Sequence, residues 1–263
     1  DVVAYADELL RPSRATLVIA GDFAGVDVAQ AVAQAFARWR PAASEPTQGG
    51  TPDVAGRPSI LLVDWPDAPQ ATVRAAGRGI TRGDERWPGM FVANYAVGGN
   101  FSSRLNTVLR EEKGVTYGVS SSLETSRWTG LVTVSTAVSS AAAADSVGDI
   151  IAILAAATGT IDADETATAI RAATDSAALG FERAEAVVNR VEMLLAEGLP
   201  LDHVDANLAR IRGVTPDAAN AAYADAVDPG AMTFVVVGDA ATLRAPLQAL
   251  GYADVEQVTP GRR

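Results

Sequence analysis

The chain has no cysteine, a single histidine and a single lysine. Without cysteine there are no disulfides, no thiolate zinc centres and no cysteine nucleophile. The lone histidine, His203, cannot supply an H-x-x-E-H zinc site, which needs two. It sits in "GLPLDHVDANLARI" with no base or carboxylate partner in view, so a Ser-His-Asp triad has no support, and a surface or helix-capping role is expected. Lys113 is the only lysine among 21 basic residues, the formal charge is −11, and there is no basic cluster. A nucleic-acid partner would require concentrated Lys and Arg, so none is expected. Long apolar runs are also scarce: "IIAILAAA" falls far short of the ~20 residues that cross a bilayer. The opening "DVVAYADELL" has no basic, signal-like start. No membrane partner is expected. The compartment is not fixed by these absences, and the cytoplasm is expected ahead of the periplasm or secretion.

What is present is an apolar fraction of 48%, enough for a buried core, and an internal repeat. Near the start the chain reads "AYADELLRPSRATLVIAGDFAGVDVAQAVAQAF", and near the end "AYADAVDPGAMTFVVVGDAATLRAPLQALG". Each copy runs through a short helix, a turn proline (Pro12, Pro229), an apolar strand, Gly-Asp and a second helix. Strand-Gly-Asp-helix is a common unit on its own, but the shared AYAD, Pro and Thr at nearly matching offsets point to duplication. Residues 1–40 are then expected to be the final helix, strand and helix of a preceding, mostly absent repeat. Residues 41–57, rich in Pro, Gly, Ser and Thr, read as a linker. Residues 58–263 read as one complete domain.

Within that domain, "SILLVDW" and "QATVRAAG" have strand character, and a helix is expected near residues 87–97. "GVTYGVSSSLET" and "TGLVTVSTAV" should form a hairpin around "SRW". Residues 140–227 read as Ala-rich helices broken at Gly159, Gly180 and Gly198, and "MTFVVVGD" should return to the sheet. The fold class is therefore α+β, an antiparallel or mixed sheet with helices on one face.

Three motifs fail as sites. "GDFAG" and "GDAAT" lack G-x-G-x-x-G, so no dinucleotide site is expected. "DADE" (162–165) lacks the spacing and glycine of a calcium loop and suits a helix N-terminus. The serines of "NFSSR" have no neighbouring base and suit caps.

"VGGNFSSRLNTVLREEKGVTYGVSS" (97–121) is different. Phe101, Leu105, Val108 and Leu109 make an i, i+4, i+7, i+8 stripe, which predicts a helix over 101–113 that buries them. Asn100 or Ser102 would cap its start, and Gly114 would end it in the left-handed conformation. A strand follows, alternating through Val115, Tyr117 and Val119. A reversal at Gly114 would bring Arg110 and Tyr117 toward one pocket. Spacing leaves a second account open, in which Arg110 serves the helix dipole and Tyr117 is a half-buried strand tyrosine.

Through Gly98, Gly99, Ser103, Arg104, Leu105, Leu109, Arg110, Glu111, Gly114 and Tyr117, this segment resembles the signature of the non-zinc-binding C-terminal domain of the insulinase-like, M16-type zinc metallopeptidases. "RPSRATLVIAGDF" and "LPLDHVDANLARIRGVTPDAANAA" resemble that family's flanking segments. The resemblance implies one complete copy of a duplicated M16-type (LuxS/MPP-like) domain, facing a homologous domain across a chamber that encloses a peptide. It implies that Arg110 holds a peptide carbonyl and Tyr117 donates to the oxyanion, with Gly98, Gly99, Asn100, Ser103 and Arg104 around the substrate. It implies that this chain binds no metal, and that zinc lies in a complementary H-x-x-E-H domain in cis or in a partner subunit in trans. Taken alone the chain is expected to be inactive. A metal-free scaffold or peptide-binding subunit with no peptidase role is the alternative.

Overall fold

A computed structural model describes residues 15–39 and 57–258, together with residues 2 and 12. The first AYAD copy (residues 4–7) and nearly all of the expected linker lie outside the described residues. After helix α1 (Val28–Ala35) come strands β1 (Ser59–Asp64) and β2 (Gln70–Arg78), helix α2 (Trp87–Asn94) and the short turn α3 (Arg104–Asn106). Strands β3 (Thr116–Thr125) and β4 (Gly130–Ser139) follow. Then come helices α4 (Ala143–Ala157), α5 (Ala163–Leu179), α6 (Ala184–Glu197), α7 (His203–Arg212) and α8 (Pro216–Ala226), strand β5 (Thr233–Gly238), helix α9 (Ala240–Ala249) and strand β6 (Val255–Val258).

The six strands form one mixed sheet in the order β3-β4-β2-β5-β1-β6. β1 is parallel to β5 and β6, and the remaining pairs are antiparallel. Strand alternation explains its two faces. Ile60, Leu62, Ala71, Val73, Val132, Val134, Phe234 and Val236 are buried on one side against Met90, Leu105, Leu109, Ile150, Leu154 and Leu247 of the helical layer. Each fully buried Leu, Ile or Phe contributes about 1.5–3 kcal/mol of transfer free energy. The short β6 was not anticipated. Four residues carry too little alternation to be read as a strand, and its register comes from pairing with β1.

The helix ends follow their caps. Asp162 and Glu165 form a reciprocal capping box at α5: the Glu165 N–H donates to Asp162 Oδ1 (2.8 Å) and the Asp162 N–H to Glu165 Oε2 (3.0 Å). "DADE" is thus a helix start, as its composition suggested. Thr215 caps α8, whose buried Tyr223 donates its hydroxyl to the Leu154 carbonyl (3.0 Å); burial pushes this phenol's pKa up. The stretch Ser140–Ala157 is apolar and long enough to cross a bilayer by length and composition alone. In this fold its stripe of Val147, Ile150 and Leu154 packs into the core instead.

Two places in the chain differ from the local pattern of the sequence, the N-terminal segment and the start of α7. Residues 15–20 form no ladder with the described residues, and Leu17 is 54% and Ile19 44% exposed. A strand is defined by its partners, and among the described residues none pairs with this segment. Its C-terminal counterpart, β5, is bonded on both sides by β1 and β2. The second concerns His203. It opens α7 half-buried, one residue inside the cap position held by Asp202, and its imidazole Nε2 is buried without a hydrogen-bond partner among the described residues.

Candidate functional site

The site is built where the helical layer meets the edge strand β3. Two π-helical segments flank the glycine turn: Tyr95–Gly99 continues α2, and Thr107–Glu112 continues α3. The helix expected over 101–113 therefore starts three residues late and is wound wider. Its exit bond runs from the Lys113 N–H to the Val108 carbonyl (3.0 Å), five residues back. Such π segments are often found at functional sites. Gly114 at φ +62° then reverses the chain, and the Val115 N–H donates to the Leu109 carbonyl (3.1 Å).

The late start moves Phe101 out of the expected buried stripe. Leu105 and Leu109 are fully buried, but Phe101 precedes the helix and is 61% exposed. Its ring carries the Arg110 guanidinium at 3.9 Å from the centroid. Phe101 is thus a member of the site that periodicity assigned to the core.

Strand β3 opens with an irregularity. Thr116 pairs with Val138 and Val119 with Thr136, so Tyr117 and Gly118 together oppose Ala137 alone. A bulge of this kind re-aims a side chain. Tyr117, which sits in it, is 93% exposed. The bulge is held from both sides. Thr136 Oγ1 donates to the Gly118 carbonyl (3.0 Å), and the buried Asn106 amide clamps Val119, donating to its carbonyl (2.7 Å) and accepting from its N–H (3.0 Å). Two residues further along the strand, Asn94 Nδ2 donates to the Ser121 carbonyl (3.1 Å) and Oδ1 accepts from the Ser121 hydroxyl (2.6 Å). Two asparagines thus occupy outward-facing backbone groups of an edge strand that would otherwise be open to pairing.

The candidate residues fall into two groups. Gly98 is packed so closely on β3 that a Cβ there would lie 2.5 Å from Ser121 Cβ, and one on Gly99 would lie 3.1 Å from the Asn94 carbonyl oxygen. Asn100 donates to the Tyr95 carbonyl (2.6 Å) and accepts from the Ser102 N–H (2.7 Å), an arrangement that sets the turn without capping α3. Buried Ser103 accepts from Asn106 Nδ2 (3.2 Å). Arg104 makes a bidentate pair with Glu165 (2.7 Å each) and donates to the Thr160 carbonyl (2.6 Å). The Glu165 carboxylate holds the Arg104 guanidinium pKa above its usual range.

Arg110 and Tyr117 have no comparable engagement. The only ion pair of Arg110 among the described residues is a 3.8 Å contact with its neighbour Glu111, and Tyr117 makes no hydrogen bond there. No hydrogen bond joins the two among the described residues; Arg110 lies over Phe101, and both residues flank the Gly114 reversal at one end of the sheet edge. Among the described residues no group of His, Cys, Asp or Glu is placed to hold a metal.

Arg104→Met should lower stability by roughly 1.5–3 kcal/mol, the contribution of hydrogen bonds to charged groups. A double-mutant cycle with Glu165→Gln in thermal denaturation should return a positive coupling. Additive effects would release Arg104 from its place in the fold.

Residues 1–173 match the family described as the peptidase M16 inactive domain. The chain is 33% identical over 187 residues to an uncharacterized zinc protease of Streptomyces coelicolor, covering 61% of this chain and 39% of that protein. In fold it is similar to a peptidase M16 inactive domain from Pseudomonas fluorescens, with a TM-score of 0.66, 21% identity and coverage of 81% of this chain and 52% of that one. It is also similar to a protease from Helicobacter pylori, with a TM-score of 0.71, 13% identity and coverage of 83% and 53%. The chain thus spans between about two fifths and half of the length of these relatives.

Proposed function

The chain belongs to the M16 peptidase family as its inactive domain, and from that premise we propose that it is the substrate-facing, metal-free half of a zinc endopeptidase. Its residues cannot hold the zinc: one histidine in the whole sequence rules out the paired-histidine helix. The metal and the hydrolytic water belong to a complementary H-x-x-E-H domain, joined in cis or as a separate subunit. What this chain contributes is binding and orientation of the peptide. The Arg110 guanidinium donates to a backbone carbonyl, and the Tyr117 hydroxyl donates to the oxygen that gains charge as that peptide bond is attacked.

One observation carries this reading. Of the seven candidate residues, the other five are packed or bonded within the fold, whereas Arg110 and Tyr117 present donor groups outward beside a strand bulge. A tyrosine re-aimed by a bulge and 93% exposed has its hydroxyl available to a peptide laid along this edge. The N-terminal segment supports a two-domain arrangement. Leu17 and Ile19 are exposed, whereas their counterparts in β5, Phe234 and Val236, are fully buried in the middle of a sheet. We take residues 1–40 to complete the sheet of the preceding repeat, residues 41–57 to link the two, and residues 58–263 to form the domain described above.

Arg110→Ala in the assembled enzyme should raise KM for peptide hydrolysis about tenfold with little change in kcat, because a carbonyl contact made equally in ground and transition state is uniform binding. Steady-state kinetics on a fluorogenic peptide tests this. An unchanged KM would remove the binding role.

A further inference from the structure

The chain's single histidine lines a second site, on the helical layer. A cavity of about 190 Å³ lies among α2, α5, α6 and α7. Three of the residues lining it have a buried polar atom without a hydrogen-bond partner among the described residues: Trp87 Nε1, His203 Nε2 and Asn207 Oδ1. Trp87 is only 2% exposed, which leaves its N–H without bulk water as a partner. Buried polar groups are nearly always paired, and three orphans on one cavity call for a common partner. The charge around the cavity is positive in a chain whose formal charge is −11. Arg82 is stacked 4.7 Å over the Trp87 ring and paired with Glu197 at 3.0 Å, while Arg190 makes no ion pair with a described residue. Phe91, Met193 and Leu208 give the cavity an apolar wall.

We propose that this cavity binds a small free carboxylate carrying a hydrogen-bond donor next to its acid group, as in a 2-hydroxy acid. The Trp87 N–H and the Arg190 guanidinium bind the acid oxygens, and Asn207 Oδ1 accepts from the hydroxyl. The uncharged His203 ring donates through Nε2, and the aliphatic part lies on the apolar wall. Burial and the nearby Arg82 and Arg210 lower the pKa of His203, with Glu197 and Asp202 opposing them more weakly. The ring is therefore neutral at pH 7. The site is independent of the peptidase reading, because none of its residues belongs to the glycine turn or β3.

The test is an NMR titration of the 263-residue chain with lactate at constant ionic strength, following the one histidine ring and the Trp87 indole N–H. Saturable shifts of both signals are expected with a Kd of about 1 mM or tighter. Trp87→Phe, which keeps the ring packing, and Arg190→Gln, a change on a half-buried helix position, should each weaken binding roughly tenfold or more. Equal shifts with chloride, no saturation, or undiminished binding by Arg190→Gln would overturn the proposal and leave the cavity to water. Trialanine offers the same terminal carboxylate on a bulkier body and should not bind. If it matches lactate, the ligand is a peptide terminus and the assignment of a small free acid is wrong.

Discussion

Tyr117→Phe, in the chain assembled with its H-x-x-E-H domain, should lower kcat for peptide hydrolysis by roughly 10²–10³-fold, the loss typical when one oxyanion donor is removed. The same change should leave the melting temperature of the chain where it was. The residue is 93% exposed, and its hydroxyl has no partner among the described residues, so the fold loses nothing with it. KM should move little, because a bond to developing negative charge is made in the transition state and not in the ground state. The kinetic loss and the unchanged stability together assign the phenol to chemistry. A retained kcat would leave it a surface tyrosine. A parallel drop in melting temperature would mark it as structural.

Asn106→Leu should cost about 2–6 kcal/mol of stability, measured by urea denaturation, although it keeps the side chain's approximate volume. The buried amide serves both the N–H and the carbonyl of Val119 and also donates to the Asn100 carbonyl (3.0 Å). Leucine leaves the Val119 donor and acceptor buried and unpaired, at about 1–3 kcal/mol each. The loss extends to function. Val119 is where regular pairing with β4 resumes after the bulge, so freeing it loosens the strand that presents Tyr117. Activity should fall even under conditions where the variant remains folded. A loss below about 1 kcal/mol would mean that the clamp is replaced by water.

Much of this architecture can be read in the sequence because the signals are local. The alternation in β1, β2, β4 and β5, the Asp162–Glu165 capping box and the left-handed Gly114 each reside in a few neighbouring residues. What could not be read depends on distant partners. Residues 15–20 have the composition of a strand, yet they form none among the described residues, because pairing is a property of two segments and not of one. The π windings are invisible to apolar periodicity, since Leu105 and Leu109 are buried in either winding. Phe101 fitted the stripe by spacing, but the helix begins only at Arg104, so it became a platform for Arg110 instead of core. Arg104 resembles a substrate-facing residue by its place in the motif. Its engagement with Glu165, sixty-one residues away, emerges only in three dimensions. Asn94 and Asn106 gave no sequence signal as edge clamps. Their place on either side of the glycine-rich turn is visible in the sequence, but their burial is not.

The account stands most directly on a complementation assay: hydrolysis of a fluorogenic peptide by the zinc-bearing H-x-x-E-H domain alone, by this chain alone with zinc, and by the two together. The account predicts that neither half cleaves alone, that the pair does, and that a pair carrying Arg110→Ala with Tyr117→Phe falls back toward the level of the separate halves. Cleavage by the zinc-bearing domain alone at the rate of the pair, or full activity with the doubly substituted chain, would contradict it.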